Sequence, residues 1–133
     1  MNRRQLLALT VAIPLAATMA WGAGLTTYTP EGVKAELAAG KVVVLDFSAS
    51  WCPSCQAQGR TIEKLRAENP GYVDRLAFFL VDWDTYKDSE LAKTYGVTSR
   101  GSLVLLKGDK VLTQTYSHST RDALKAMFDE ASA

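Results

Sequence analysis

Residues 42–55, VVVLDFSASWCPSC, carry the deciding pattern of this 133-residue chain. The run 41–47 (KVVVLDF) is rich in β-branched residues and lacks polar–apolar alternation, which predicts a strand covered on both faces. One carboxylate, Asp46, interrupts it. Beyond Trp51 come Cys52, Pro53, Ser54 and Cys55, and from Cys52 or Pro53 to Asn69 the sequence predicts a helix. Its apolar positions, Ile62 and Leu65 among them, are spaced for one buried face. A covered strand thus runs directly into a helix whose mouth holds the only two cysteines of the chain.

Outward from that unit, Thr29-Pro30-Glu31 reads as a cap, a proline at the first helical position and an acid in the first turn. The short helix it opens should stop at Ala39-Gly40. Residues 76–81 (LAFFLV) predict a second buried strand, and residues 88–95 a short helix ended by Gly96. Strands over 103–106 and 111–116 are joined through residues 107–110 (KGDK), a tight hairpin signal. Residues 119–122 (STRD) cap a last helix with Leu124, Met127 and Phe128 on one side. Strand, helix, strand, helix, hairpin, helix implies an α/β fold, a central mixed β-sheet flanked by helices on both faces. A right-handed crossover makes the first two strands parallel, and the hairpin makes the last two antiparallel.

The length suits one domain, expected over residues 25–133. Residues 1–24 have a different character: Arg3 and Arg4 precede a mostly apolar stretch, then the small residues Ala20, Ala23 and Gly24. That order predicts a signal peptide cleaved after Ala20 or Ala23, with an uncleaved membrane anchor as the alternative. The adjacent arginines also fit a twin-arginine export signal. Lysine and arginine total 15 against 14 acidic residues, and neither sign clusters, which argues against a nucleic-acid partner. The expected location is periplasmic, and the expected state is a monomer.

At a helix start, the Cys52–Cys55 spacing puts Cys52 at an exposed N-terminus and Cys55 one turn in. Free amide hydrogens and the positive helix end favour a thiolate at Cys52, and thiolate is the attacking species. Cys55 then resolves the mixed disulfide from within. Pro53 stiffens the first turn, whereas Ser54 brings no positive charge. Two other readings of the pair exist. A structural staple gains little from so short a loop. A metal site would need ligands beyond the two thiolates, and His118 is the only histidine. His118 is expected in the turn before the last helix, without a catalytic duty. Asp46, six residues before Cys52, is expected to be buried with a raised pKa and to take the Cys55 proton through a water. Were it to point to the strand end, it would simply be solvated. Trp51 is expected beside the sulfurs as an apolar lip, unless it is a plain core aromatic.

VVVLDFSASWCPSC resembles the thioredoxin family, in particular its exported bacterial members, and Tyr95-Gly96-Val97 with residues 103–107 (LVLLK) resemble later family segments. The resemblance spans about residues 29–131. It implies a thioredoxin-like fold and a Cys52–Cys55 dithiol that exchanges disulfides with exported protein partners without a bound cofactor. Reduction of those partners is the favoured direction, with electrons delivered from a membrane protein. Three positions depart from the family. Gly101, after Arg100, falls where a cis-proline normally faces the cysteines, at the loop that binds substrate backbone, so the Arg100–Gly101 bond should be trans. Leu80 falls where a lysine usually accompanies the buried aspartate. Arg60, after Gly59, replaces the proline that kinks the active-site helix. Restoring proline at position 101 is expected to raise activity on generic substrates, and metal binding or chaperone-like docking by the same cysteines is the alternative function.

Overall fold

A computed structural model describes residues 25–133. The export segment expected over residues 1–24 lies outside the described residues. The elements run β1 (Thr26–Thr27), α1 (Pro30–Ala38), β2 (Val42–Ser48), α2 (Pro53–Glu68), α3 (Pro70–Arg75), β3 (Leu76–Asp82), α4 (Trp83–Tyr86), α5 (Glu90–Tyr95), β4 (Leu103–Lys107), β5 (Lys110–Gln114) and α6 (Arg121–Ala131). They form one five-stranded sheet of order β1-β3-β2-β4-β5. β1 and β2 each pair parallel with β3, whereas β4 pairs antiparallel with both β2 and β5. This is the mixed α/β architecture expected from the sequence.

β2 is the central strand, and all seven of its residues are buried. Side chains alternate across a sheet with period two. Val42 and Val44 therefore pack in one cluster with Ile62 and Leu65 of α2 and Leu124 and Phe128 of α6. Val43, Leu45 and Phe47 join the opposite cluster, with Val81, Val104 and, at its margin, Val33 and Leu37 of α1. The uninterrupted apolar run thus reflects two cores served by one strand. The same alternation puts Asp46 on the α2 side.

Caps fix the helix starts. Thr29 Oγ1 accepts the Gly32 N–H at 3.0 Å ahead of Pro30, and Thr120 Oγ1 accepts the Ala123 N–H at 3.2 Å. Local details differ from expectation. Asn69-Pro70-Gly71 does not simply end a helix. Asn69 closes α2 through its Nδ2–H to the Leu65 carbonyl, and Pro70 then opens α3, where its missing N–H costs nothing. α4 starts directly off β3, because Asp82 Oδ2 accepts the Thr85 N–H at 3.3 Å. β5 ends at Gln114 rather than 116, beyond a register irregularity between Leu105 and Leu106.

Candidate active site

The carboxyl end of β2 delivers the chain to α2 in four residues. Cys52 is the N-cap of α2 in an extended conformation (φ −95°, ψ 105°), with Pro53 as the first helical residue. Its Sγ accepts the Cys55 N–H at 3.3 Å, so the sulfur occupies the position of a capping oxygen. The two cysteines form a disulfide, their Cα atoms 5.2 Å apart. The exposure expected for Cys52 is not found: it is 3% exposed and Cys55 2%. Both pack with Ala49, and Trp83 from α4 lies against them.

The second cover is His118. It stands in the turn before α6, as expected, but its ring is directed at the dithiol. Nε2 lies 3.6 Å from Cys55 Sγ and 3.9 Å from Cys52 Sγ. The sequence placed it in that turn without anticipating its contact with the sulfurs. The ring has room because position 101 is glycine. A Cβ built there would stand 2.5 Å from His118 Cδ2 and 2.6 Å from Nε2, and the backbone already sits at φ +80°. No cis peptide bond occurs among the described residues, so the Arg100–Gly101 bond is trans. The Gly101 N–H donates to the Phe47 carbonyl at 2.7 Å, and its carbonyl accepts the Gln58 amide at 3.0 Å. Gly101 is buried, and its N–H and carbonyl are both engaged inside the fold.

Gln58 ties the parts together. Buried on α2, it donates Nε2–H to Gly101 and accepts the Ser119 N–H at Oε1, 2.8 Å away. One amide thus fixes the Gly101 loop and the residue after His118 to the active-site helix. Sequence reasoning missed it, although a signal existed. Cys55, Gln58, Ile62 and Leu65 recur at helical spacing, and a glutamine within a buried stripe marks a polar job. Nothing local marked His118, whose contacts with the sulfurs span 63 and 66 residues of chain.

Asp46 is 3% exposed, and Oδ1 has no hydrogen-bond partner among the described residues. Its register neighbours are Leu80 on β3 and Leu103 on β4. Burial in that apolar setting raises its pKa from 3.8 to about 7. Leu80, at the position of the missing lysine, is thus the residue beside it. Trp51 is 55% exposed and not a core aromatic; its indole N–H donates to Asp84 Oδ2 at 2.7 Å, and the Arg100 guanidinium lies 4.6 Å over its ring. Arg100 is therefore a clamp on Trp51. Pro53 and Ser54 are exposed at the mouth of α2. Among the described residues, Cys52, Cys55 and His118 form a group of metal-type donors, their atoms all within 4.8 Å of one another.

The family model for thioredoxin matches residues 25–130. A thioredoxin of Bacillus subtilis is 30% identical over 102 residues, covering 77% of this chain and 92% of that protein. An H-type thioredoxin of Fagopyrum esculentum is 40% identical over 68 residues, which span 51% of this chain and 53% of that protein. Among solved structures, Trxlp from Edwardsiella tarda superposes with a TM-score of 0.67 at 24% identity, covering 77% of this chain and 95% of its own. Malassezia sympodialis thioredoxin superposes at 0.64 with 26% identity, covering 79% and 87%.

Proposed function

Because the chain belongs to the thioredoxin family of protein disulfide oxidoreductases, we propose that it exchanges disulfides with exported proteins and runs in the reducing direction. The observation that carries this reading is Cys52 Sγ at the amide-rich mouth of α2, accepting the Cys55 N–H. An anion at that position meets unpaired N–H groups and the positive helix end. The reduced protein presents Cys52 as a thiolate, which attacks a partner disulfide. One partner sulfur leaves as a thiolate and is protonated, and the other is held in a mixed disulfide with Cys52. Cys55 loses its proton and attacks Cys52 Sγ, breaking the mixed disulfide so that the second partner sulfur leaves as a thiolate and is protonated. The partner departs as a dithiol, and Cys52–Cys55 remains as the disulfide. The two electrons come from the dithiol itself, with no further cofactor.

Asp46 serves as the proton acceptor for Cys55, through a water. A carboxyl held near neutrality by burial is matched to that task, since it can take up and release a proton at working pH. Pro53 holds the first turn of α2 and Ser54 adds no charge to it. Trp51, exposed and adjacent in sequence to Cys52, is a surface that a partner can meet, with the half-buried Arg100 stacked on its ring, and Gly101 acts by leaving space.

The basic head and apolar stretch of residues 1–24 support periplasmic export of the mature domain. Regeneration there draws electrons from a membrane donor, since exported compartments lack the cytosolic thiol pool. The uncharged Ser54 supports the reducing direction. The His118 imidazole, within 3.9 Å of both sulfurs, would raise the potential wherever it stabilises a thiolate of the dithiol form.

Trapping tests the reading. Cys55→Ser produced in the native compartment should accumulate as covalent adducts of Cys52 with exported partners. An absence of adducts, with Cys52 no more reactive toward an alkylating agent than a free thiol in solution, would remove the exchange function.

A further inference from the structure

The dithiol, the imidazole and the glycine beside it have a consequence outside disulfide exchange. We propose that, once the disulfide is reduced, Cys52, Cys55 and His118 bind one thiophilic d10 cation, Cu(I) or Zn(II), as a three-ligand site. Both ions favour thiolate and imidazole donors.

The distances support it. An ion about 2.3 Å from sulfur and about 2.1 Å from nitrogen separates those two ligands by roughly 3.6 Å in tetrahedral geometry and roughly 3.8 Å in trigonal geometry. Nε2 already lies 3.6 Å and 3.9 Å from the two sulfurs. Reduction needs only to part the sulfurs, which sit on an N-cap and one helical turn in, the two-residue spacing of many thiolate metal sites.

The imidazole is held in place rather than passing by. Gln58 anchors Ser119, the next residue, and the same amide anchors the carbonyl of Gly101. The absent Cβ at Gly101 leaves the space that the ring fills. His118 is itself exposed, so the ion would be open to solvent on one side. That open position suits handing the ion to, or taking it from, a second protein.

Binding displaces whatever protons the two reduced sulfurs still carry and leaves their oxidation state unchanged. The disulfide form has no thiolates and cannot bind, so metal loading and disulfide exchange are alternative states of the same sulfurs. The inference does not depend on the exchange partners, and its failure would leave the exchange reading intact.

The test is metal titration of the 25–130 domain within the full mature protein, under anaerobic conditions with a non-thiol reductant. Cu(I) and Zn(II) are added separately in competition with chromogenic chelators. Reduced wild type should bind one equivalent of at least one of these ions, and the disulfide form none. His118→Ala should bind at least about tenfold more weakly. Gly101→Ala removes no ligand but intrudes on the ring, so it should weaken binding as well. His118→Gln, checked by thermal melting, separates lost ligation from lost folding. No stoichiometric binding of either ion by the reduced protein, or equal affinity in wild type and His118→Ala, would overturn the proposal.

Discussion

Gly101 and His118 share one volume: a Cβ on the first would stand 2.5 Å from Cδ2 of the second. The relationship reverses the expectation that proline at position 101 would restore generic activity. Proline fixes φ near −65°, whereas Gly101 sits at +80°, and proline lacks the N–H that Gly101 gives to Phe47 at 2.7 Å. Gly101→Pro is expected to destabilise the fold by about 3 kcal/mol or more. Thermal unfolding of the oxidised form measures this, and a Tm at or above wild type would contradict it.

Asp46 makes the stability of the domain depend on pH. Unfolded, its carboxyl ionises near 3.8, while the folded form keeps the proton until about 7. Between those values the folded state binds the extra proton, so stability falls as pH rises and levels off above about 7. Asp46→Asn should match wild type near pH 4 and exceed it at pH 8 by a few kcal/mol. Denaturant titration of the oxidised protein at both pH values measures the difference. In the reduced protein the same substitution should slow release of the mixed disulfide more than its formation. Equal effects on both steps would take Asp46 out of the proton transfer.

The sheet and the cysteine pair were legible because their signals are local. KVVVLDF carries its two-sided burial in its own composition, and Cys52, Pro53 and Cys55 carry the helix start in theirs. β1 escaped notice because two residues make no pattern. α3 was hidden because the same Asn-Pro-Gly that stops one helix can start the next. The site was less legible than the fold. His118 and Trp83 reach the sulfurs from remote elements, and only the folded register brings them there. Gln58 was visible as a pattern, yet its purpose depends on two loops that meet only in the folded chain.

Removing that glutamine tests the organisation directly. Gln58→Leu keeps the volume but strands the buried Gly101 carbonyl and the partly buried Ser119 N–H. Each unpaired group costs about 1–3 kcal/mol, so a loss of roughly 2–4 kcal/mol is expected. The His118 ring should also lose its fixed position, which NMR of the imidazole protons would report as exchange broadening. An unchanged Tm with sharp, unshifted imidazole signals would show that the clamp carries no weight.

His118 sets the last expectation, because its influence falls on the reduced state alone. In the disulfide form neither sulfur is charged, and the imidazole gains little from either. In the dithiol form, a thiolate on either cysteine can accept a hydrogen bond from the imidazole, whose Nε2 lies 3.9 Å from Cys52 Sγ and 3.6 Å from Cys55 Sγ in the disulfide form. A hydrogen bond to a charged group contributes about 1.5–3 kcal/mol, less at distances this long, and about 1.4 kcal/mol corresponds to roughly 30 mV for a two-electron couple. Whatever stabilises the dithiol raises the potential, so His118→Ala should lower it by about 30 mV, making the protein a stronger reductant. Equilibration of both proteins against glutathione redox buffers measures the shift. A potential that stays put or rises would mean that the imidazole covers the sulfurs without stabilising their anionic form.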